Sequence, residues 1–252
     1  DHATRLAAAA RVGHILLKGV DDDPLEPPAP AWERRDISVT ATLPLPADPQ
    51  ALWKKLRDKS RNAVRKAERF KLELKTGGEY LDDLYDILAE NLHRLGTPPY
   101  GKPFLRALYD ALGPQTLEIV TLHHEGRAIS AALLACHGTT AYVPFASSRP
   151  ETFAMRPNNL LYWHLMQRAI ARGMTVFDFG RSRRNTSTLN FKTGWGATLS
   201  GVPFYLRAVR GKLPDLDSES PAVQRLIRLW QRLPRPVVDR IGPAICQRFL
   251  TI

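Results

Sequence analysis

Between Val176 and Gly196 the chain reads V-F-D-F-G-R-S, a short polar loop, then N-F-K-T-G-W-G. Asp178, Arg181, Phe191, Lys192 and Trp195 therefore fall within about twenty residues: one carboxylate, two cations and two aromatics. Group transfer uses that mixture. Cations stabilise developing negative charge, a carboxylate takes a proton, and aromatic rings exclude water. A bland alternative fits the same residue types: Asp178 caps a turn, Trp195 is core and Lys192 is solvated.

A second constellation lies upstream. From Lys54 to Lys75 there are ten Lys or Arg residues against three acids. On one continuous helix, Arg57, Arg61 and Arg65 would stack at i, i+4, i+8, with Lys54 a turn before them. Like charges at that spacing repel, so an anion would relieve them. Arg61 and Arg65 suit a phosphate, because guanidinium forks match its oxygens; a solvated face without a ligand is the competing reading. Tyr142 is a further candidate for hydrogen bonding to substrate, although alternate strand residues point inward. Other candidates fall away. His123-His124-Glu125 lacks metal-ligand spacing, and D-F-G stands without the other kinase signatures. No nucleophile elbow, phosphate loop or dinucleotide fingerprint is present.

The elements that must position these residues can be read from periodicity. Val12 to Lys18 and Asp36 to Leu43 predict two strands around a loop bearing Pro24, Pro27, Pro28 and Pro30. Asp48 to Phe70 reads as one helix with Leu52, Leu56, Ala63 and Ala67 on a face. Leu81 to Leu95 predicts a second helix, stopped at Gly96 before Pro98 and Pro99, and Phe104 to Leu112 a third. Thr116 to His123, Ala128 to Cys136 and Thr139 to Ser147 predict an antiparallel meander through the turns Glu125-Gly126 and His137-Gly138. Then come a helix from Asn158 to Arg172 capped by Gly173, a strand from Val176 to Phe179, a helical turn from Thr186 to Trp195, and a strand from Val202 to Val209. Pro221 to Leu233 places Val223, Leu226, Ile227 and Trp230 on one side, with Arg225, Arg228 and Arg232 largely opposite. Val237, Val238, Ile241, Ile245 and Phe249 follow as a second apolar series. Helices of that kind either pack on their own domain or lie in a membrane interface.

The 252 residues carry a formal charge of +11, which favours anionic partners such as RNA, phosphorylated lipids or an acidic membrane face. The two cysteines, Cys136 and Cys246, match no metal or redox spacing, so a reducing compartment is expected. No apolar run approaches the roughly 18 residues that span a bilayer. With no secretory signal either, the expected location is cytoplasmic, with at most a peripheral place on the inner face of the cytoplasmic membrane. Because the chain opens on Asp1 rather than Met, it reads as part of a longer protein.

Four motifs in order, S-R-N-A-V-R-K-A-E (Ser60 to Glu68), R-L-G-T-P-P (Arg94 to Pro99), P-N-N-L-L-Y-W (Pro157 to Trp163) and F-D-F-G-R-S with F-K-T-G-W-G, resemble the FemAB family. The branch most resembled is the FemAB-like proteins associated with exosortase/PEP-CTERM and exopolysaccharide systems. The resemblance implies a GNAT-like α+β (mixed α/β) fold with an antiparallel meander and flanking helices, preceded by the remnant of another GNAT-like domain. Residues 1–45 would be the last strands of that first domain, 46–210 the second domain and 211–252 a basic amphipathic tail. It also implies transfer of an aminoacyl or acyl group to an amine of a peptidoglycan-related or exopolysaccharide-related precursor. Phe191 and Lys192 would stand at the reaction centre, and Arg61 and Arg65 would hold the precursor's phosphates. Beside the resemblance, the residue types themselves make Asp178, or a substrate phosphate, the candidate proton acceptor, and Tyr142, Arg181 and Trp195 candidate substrate contacts. No tightly bound cofactor is expected; the donor would be aminoacyl-tRNA or acyl-CoA, making tRNA a further partner and DNA none. Against acyl-CoA, the connection S-S-R-P-E-T-F-A-M-R-P-N-N contains no glycine that would let backbone amides approach a pyrophosphate. Two alternatives stand beside this expectation: an acyl-CoA-dependent acetyltransferase of a polysaccharide pathway, and a non-catalytic basic scaffold at a membrane surface.

Overall fold

The structure is a computed structural model that describes residues 2–10, 12–19, 32–184, 186–211, 213 and 220–249. The loop bearing Pro24, Pro27, Pro28 and Pro30 lies outside the described residues. The chain forms two compact units, Asp1–Leu43 with Phe179–Asp217, and Pro44–Asp178 with Ser218–Ile252.

The larger unit begins with helix α2 (Pro49–Lys55); helix α1 belongs to the smaller unit. Asp48 caps α2, accepting the N–H groups of Gln50 at 3.0 Å and Ala51 at 3.1 Å, donors that a first turn otherwise leaves unpaired. The single helix expected from Asp48 to Phe70 is broken. Leu56 and Arg57 are extended, each with ψ 144°, before α3 (Asp58–Glu68) resumes. Leu56 is buried at the break, and its N–H closes on the carbonyls of Leu52 and Trp53. Asp58 then brings negative charge to the first turn of α3, where the helix dipole favours it. Beyond the break the buried stripe is Ser60, Val64 and Ala67, so Ala63 leaves the face assigned to it. The arginine stripe is shortened too: Arg57 caps α3 and Lys54 stays on α2, leaving only Arg61 and Arg65 at i, i+4.

The meander is present as expected. Strands β4 (Leu117–His124), β5 (Arg127–His137) and β6 (Thr140–Ser148) pair antiparallel in sequence. Glu125 and Gly126 turn between β4 and β5 with φ 50° and 77°, the left-handed pair that matches strand twist. A short β3 (Glu73–Thr76), not anticipated from the sequence, adds antiparallel to β4. On the other side β7 (Val176–Arg183) pairs parallel with β6, after the crossover helix α6 (Pro157–Ala171). The order in this unit is β3-β4-β5-β6-β7.

Helices cover both faces of this sheet. Leu117, Ile119, Ala131 and Leu133 pack with Leu81, Leu84 and Ile87 of α4 (Leu81–Arg94). The alternate residue Glu118 is buried and ion-paired with Arg168 of α6 and, at 3.1 Å, with Arg172 at that helix's C-cap. Burial on two sides explains why β4 and β5 read as near-continuous apolar runs rather than alternating ones. Helix α5 (Lys102–Thr116) breaks at Gly113, φ 70°, one residue past its expected end.

Two C-terminal helices, α8 (Pro221–Gln231) and α9 (Arg235–Phe249), pack on α4. Gln231 donates to the Arg94 carbonyl at 2.7 Å, and the His93 ring meets the Trp230 carbonyl at 3.1 Å. Gly96 ends α4 in the left-handed region, φ 77°, and a Cβ there would lie 2.4 Å from Ile227 of α8. Glycine is thus needed twice over, for the turn and for the docking. The side chain of Phe249 lies outside the described part.

The smaller unit contains α1 (His2–Ala9), β1 (His14–Lys18), β2 (Glu33–Pro44), α7 (Ser187–Gly194) and β8 (Thr198–Ala208). Strand β8 pairs antiparallel with both β1 and β2, with an irregularity between Arg35 and Ser38. Its alternate residues Val202, Phe204 and Leu206 form the core of this layer, as period-two burial requires. The whole chain is a mixed α/β protein with an antiparallel meander and flanking helices, the class expected.

Candidate active site

In the larger unit, three register pairs join β6 to β7: Thr140 with Val176, Ala141 with Phe177 and Tyr142 with Asp178. Register partners on neighbouring strands sit about 5 Å apart and project to the same side. The expected acid and the expected tyrosine are therefore neighbours at the end of a short parallel ladder. Phe177, one residue earlier, projects to the opposite side, fully buried, with its ring edge-on to Tyr162 of α6 at 6.3 Å. Tyr142 is exposed and Asp178 half-buried. Burial pushes the Tyr162 hydroxyl far above its ordinary range, and the neighbouring Tyr142 adds to the effect. Tyr162 was not singled out from the sequence; its signal was the aromatic pair in P-N-N-L-L-Y-W.

Helix α3 carries Arg61 and Arg65. Arg61 is ion-paired with Asp58, one turn earlier. Arg65 lies over the ring of Trp53, 5.7 Å from its centroid, and reaches Asn62 Oδ1 at 3.5 Å. Trp53 in turn meets Trp163 of α6 at 4.8 Å. The neutralisation the arginines require is thus partly internal. Trp53 was also missed, since periodicity marks it only as a half-buried helix residue.

In the smaller unit, Thr186 caps α7 through its side chain, which accepts the Leu189 N–H at 3.2 Å. The cap orients the helix so that Lys192 points inward. Its side chain is only 4 % exposed, and Nζ donates to the carbonyls of Gly180 at 2.7 Å and Arg181 at 3.0 Å. In a regular strand successive carbonyls point to opposite sides. Gly180 has φ 74°, and this left-handed step turns two consecutive carbonyls toward one ammonium. The solvated alternative for Lys192 is excluded.

Trp195 is a core residue, 1 % exposed, and Phe191 stands edge-on to it at 6.2 Å, half-buried. The exposed Arg181 side chain lies over Phe204, 5.7 Å from the ring centroid. Nearby Lys18 has its ammonium pKa lowered, by partial burial first and by the Arg181 charge second. The expected residues thus fall into a Tyr142–Asp178 pair, an Arg61–Arg65 pair and a cluster of Lys192, Phe191, Trp195 and Arg181.

An apolar cavity of about 420 Å³, lined by Tyr100, Phe104, Pro243 and Cys246 among others, contains none of these residues. Burial raises the Cys246 thiol pKa, which keeps it protonated and inert. Among the described residues no helix is long and apolar enough to cross a membrane.

Comparison with solved structures supplies the fold. The structure is similar to FemX, with TM-score 0.62, 15% identity, and coverage of 92% of this chain and 78% of that one. It is also similar to the C-terminal domain of a putative lysylphosphatidylglycerol synthetase from Agrobacterium fabrum, with TM-score 0.60, 12% identity and coverage of 81% and 70%. A tandem GNAT protein from the clavulanic acid biosynthesis pathway aligns with TM-score 0.55, 13% identity and coverage of 84% and 69%. The likeness to FemAB proteins read from four sequence motifs therefore extends to the fold. No curated protein matches the sequence. Residues 54–193 match the family described as the acetyltransferase (GNAT) domain, more than half of the chain and including α3, the β6–β7 pair and Lys192, so this protein belongs to the GNAT acetyltransferase-domain family.

Proposed function

We propose that the protein is a FemAB-like N-acyltransferase that moves an aminoacyl group onto an amine of a cell-envelope precursor. The observation that carries this reading is the register pair of Tyr142 and Asp178 at the end of the parallel β6–β7 ladder, inside the residues matched to the GNAT family. A half-buried carboxylate beside a phenol suits deprotonation of an attacking amine. The amine nitrogen forms a bond to the ester carbonyl carbon, and the carbonyl electrons move onto oxygen. Lys192 stabilises that oxyanion, with Phe191 and Trp195 limiting water. Asp178, or a phosphate of the substrate, takes the amine proton. The oxyanion then re-forms the carbonyl as the carbon–oxygen bond to the donor breaks, and the group that took the amine proton passes it to the leaving oxygen. Arg61 and Arg65 hold an anionic acceptor, with Tyr142 and Arg181 as further substrate contacts.

The connection between β6 and α6 supports an ester donor over acyl-CoA. It folds as a 3₁₀ turn, Pro150–Met155, and spends backbone donors on its own carbonyls: Thr152 to Arg149 at 3.0 Å and Arg156 to Phe153 at 3.1 Å. A pyrophosphate needs such amides to be available. The likeness to a lysylphosphatidylglycerol synthetase domain agrees with an aminoacyl group and an envelope acceptor. An acyl-CoA donor is the second reading, favoured by the acetyltransferase description of the family.

Melting curves with coenzyme A and with charged tRNA separate the two, because a ligand bound only by the folded chain raises the midpoint. We expect charged tRNA to stabilise the protein, coenzyme A to leave it unchanged, and label from charged tRNA to reach an amine acceptor. Turnover with acetyl-CoA alone would overturn the aminoacyl reading.

A further inference from the structure

Helix α8 has more apolar surface than its packing uses. At about 100° per residue, with Trp230 as origin, Ile227 lies about 60° to one side, and Val223 about 20°. These three form the packed side: Trp230 is buried, Val223 and Ile227 are half-buried, and Ile227 abuts Gly96. Leu226 and Leu229 lie about 40° and 100° to the other side. They are 66% and 59% exposed. Arg225, Arg232 and Arg228 follow at about 140°, 160° and 200° in the same direction. A leucine shoulder thus separates the packed face from an arginine face.

Rotation cannot hide this shoulder. The packed face is fixed by the contact of Ile227 with Gly96, the Gln231 bond to the Arg94 carbonyl and the His93 contact with the Trp230 carbonyl. No Asp or Glu lies between Pro221 and Arg235. Among the described residues no ion pair engages Arg225, Arg228 or Arg232, whereas Arg235 is paired with Asp239 at 2.7 Å. The next helix also exposes apolar side chains, Val237 and Ile241.

We infer that α8 is a docking surface for an anionic lipid bilayer, lying in the plane of the headgroups. Leu226 and Leu229 enter the acyl boundary, and Arg225, Arg228 and Arg232 meet the phosphates. Charge complementarity selects this occupant. A second copy of the chain seated on the same face would bring two unpaired arginine triplets together, which repel. A nucleic acid would use the arginines and leave the leucines in water. A bilayer interface satisfies both, and an apolar edge flanked by arginine is the pattern of interfacial helices. Eleven residues span about 16 Å, too short to cross a bilayer and sufficient to lie on one. The inference stands whether or not the protein transfers an acyl group.

The test is sedimentation of the full chain with vesicles of phosphatidylglycerol and phosphatidylcholine in equal parts, against phosphatidylcholine alone. We expect binding to the mixed vesicles that weakens with added salt. Leu226→Glu with Leu229→Glu should weaken it about tenfold or more, and Arg225→Gln, Arg228→Gln and Arg232→Gln together by a similar factor. Both leucines are exposed, so melting points should hold; if the glutamates unfold the chain, Leu226→Gln with Leu229→Gln carries the same test. Absence of wild-type binding overturns the inference. So does binding that survives loss of the leucines, since net positive charge alone would then explain it. A wild-type dimer that the leucine variant splits, without vesicle binding, assigns the face to a second copy instead.

Discussion

Lys192 stands near the end of a short helix, withdrawn from water and held by two backbone carbonyls, whereas Arg61 and Arg65 stand on a surface helix and are held by near neighbours in sequence. Both kinds of cation looked alike in the sequence, as positive residues at promising spacing. Their physical costs differ. A buried ammonium is tolerated only if hydrogen bonds replace its water, so its surroundings must be built around it. A surface guanidinium needs no such construction, and its local partners can be exchanged for an anion. Lys192 should thus be coupled strongly to folding, and the arginines chiefly to binding.

The largest effect should come from Lys192→Ala. If the ammonium stabilises an oxyanion, turnover falls about a hundredfold or more. The burial adds a folding cost that the sequence did not suggest. The carbonyls of Gly180 and Arg181 lose their donor, which should cost about 1–3 kcal/mol in urea unfolding. Lys192→Met keeps most of the side-chain volume and should lose the same hydrogen bonds, separating packing from polar satisfaction. A variant with the wild-type unfolding midpoint would show that these carbonyls do not depend on the ammonium.

Gly180→Ala attacks the other half of that arrangement. The left-handed backbone at φ 74° lets two carbonyls converge, and a Cβ there costs about 1–2 kcal/mol. The same urea titration reads it. An unchanged midpoint would mean that the strand relaxes without loss, and that the convergence is incidental.

The contrast between these cations also marks the limit of the sequence. Period-two and period-3.6 patterns located the meander, α4, α6 and the caps at Asp48 and Gly96, because those signals are local. The break at Leu56–Arg57 was invisible, because helix propensity runs unbroken through it and the buried Leu56 falls on the same face as Leu52 in a continuous helix. β3 was missed because four half-exposed residues carry no period. At the site, Tyr142 and Asp178 could each be named, yet their pairing depends on the register of a parallel ladder that no single segment encodes. Lys192 was read from its residue type, but its burial depends on a glycine conformation twelve residues earlier. Trp53 and Tyr162 escaped because their importance lies in the rings they meet.

Arg65→Gln belongs to the surface side of the comparison. It removes the guanidinium from the Trp53 face, which should cost roughly 0.5–1 kcal/mol of stability. If Arg65 holds an anionic acceptor, KM for that acceptor rises while kcat stays near wild type. A fall in kcat without change in KM would move Arg65 out of binding and onto the Lys192 side of the divide.

The smallest change should follow Asp58→Ala, and it is the most discriminating. Asp58 is ion-paired with Arg61 at an exposed position and lies in the first turn of α3. Exposed pairs contribute about 0–1 kcal/mol, and a first-turn carboxylate about 0.3–1 kcal/mol, so unfolding should move by roughly 1 kcal/mol or less. The kinetic consequence runs in the opposite direction. With its internal counter-charge gone, Arg61 should bind an anionic acceptor more tightly, lowering KM and steepening the dependence of KM on salt. If instead KM rises, Asp58 serves to aim the guanidinium. The arginine pair would then be as constructed as the buried lysine, and the distinction between a cation built into the fold and one lent by the surface would fail.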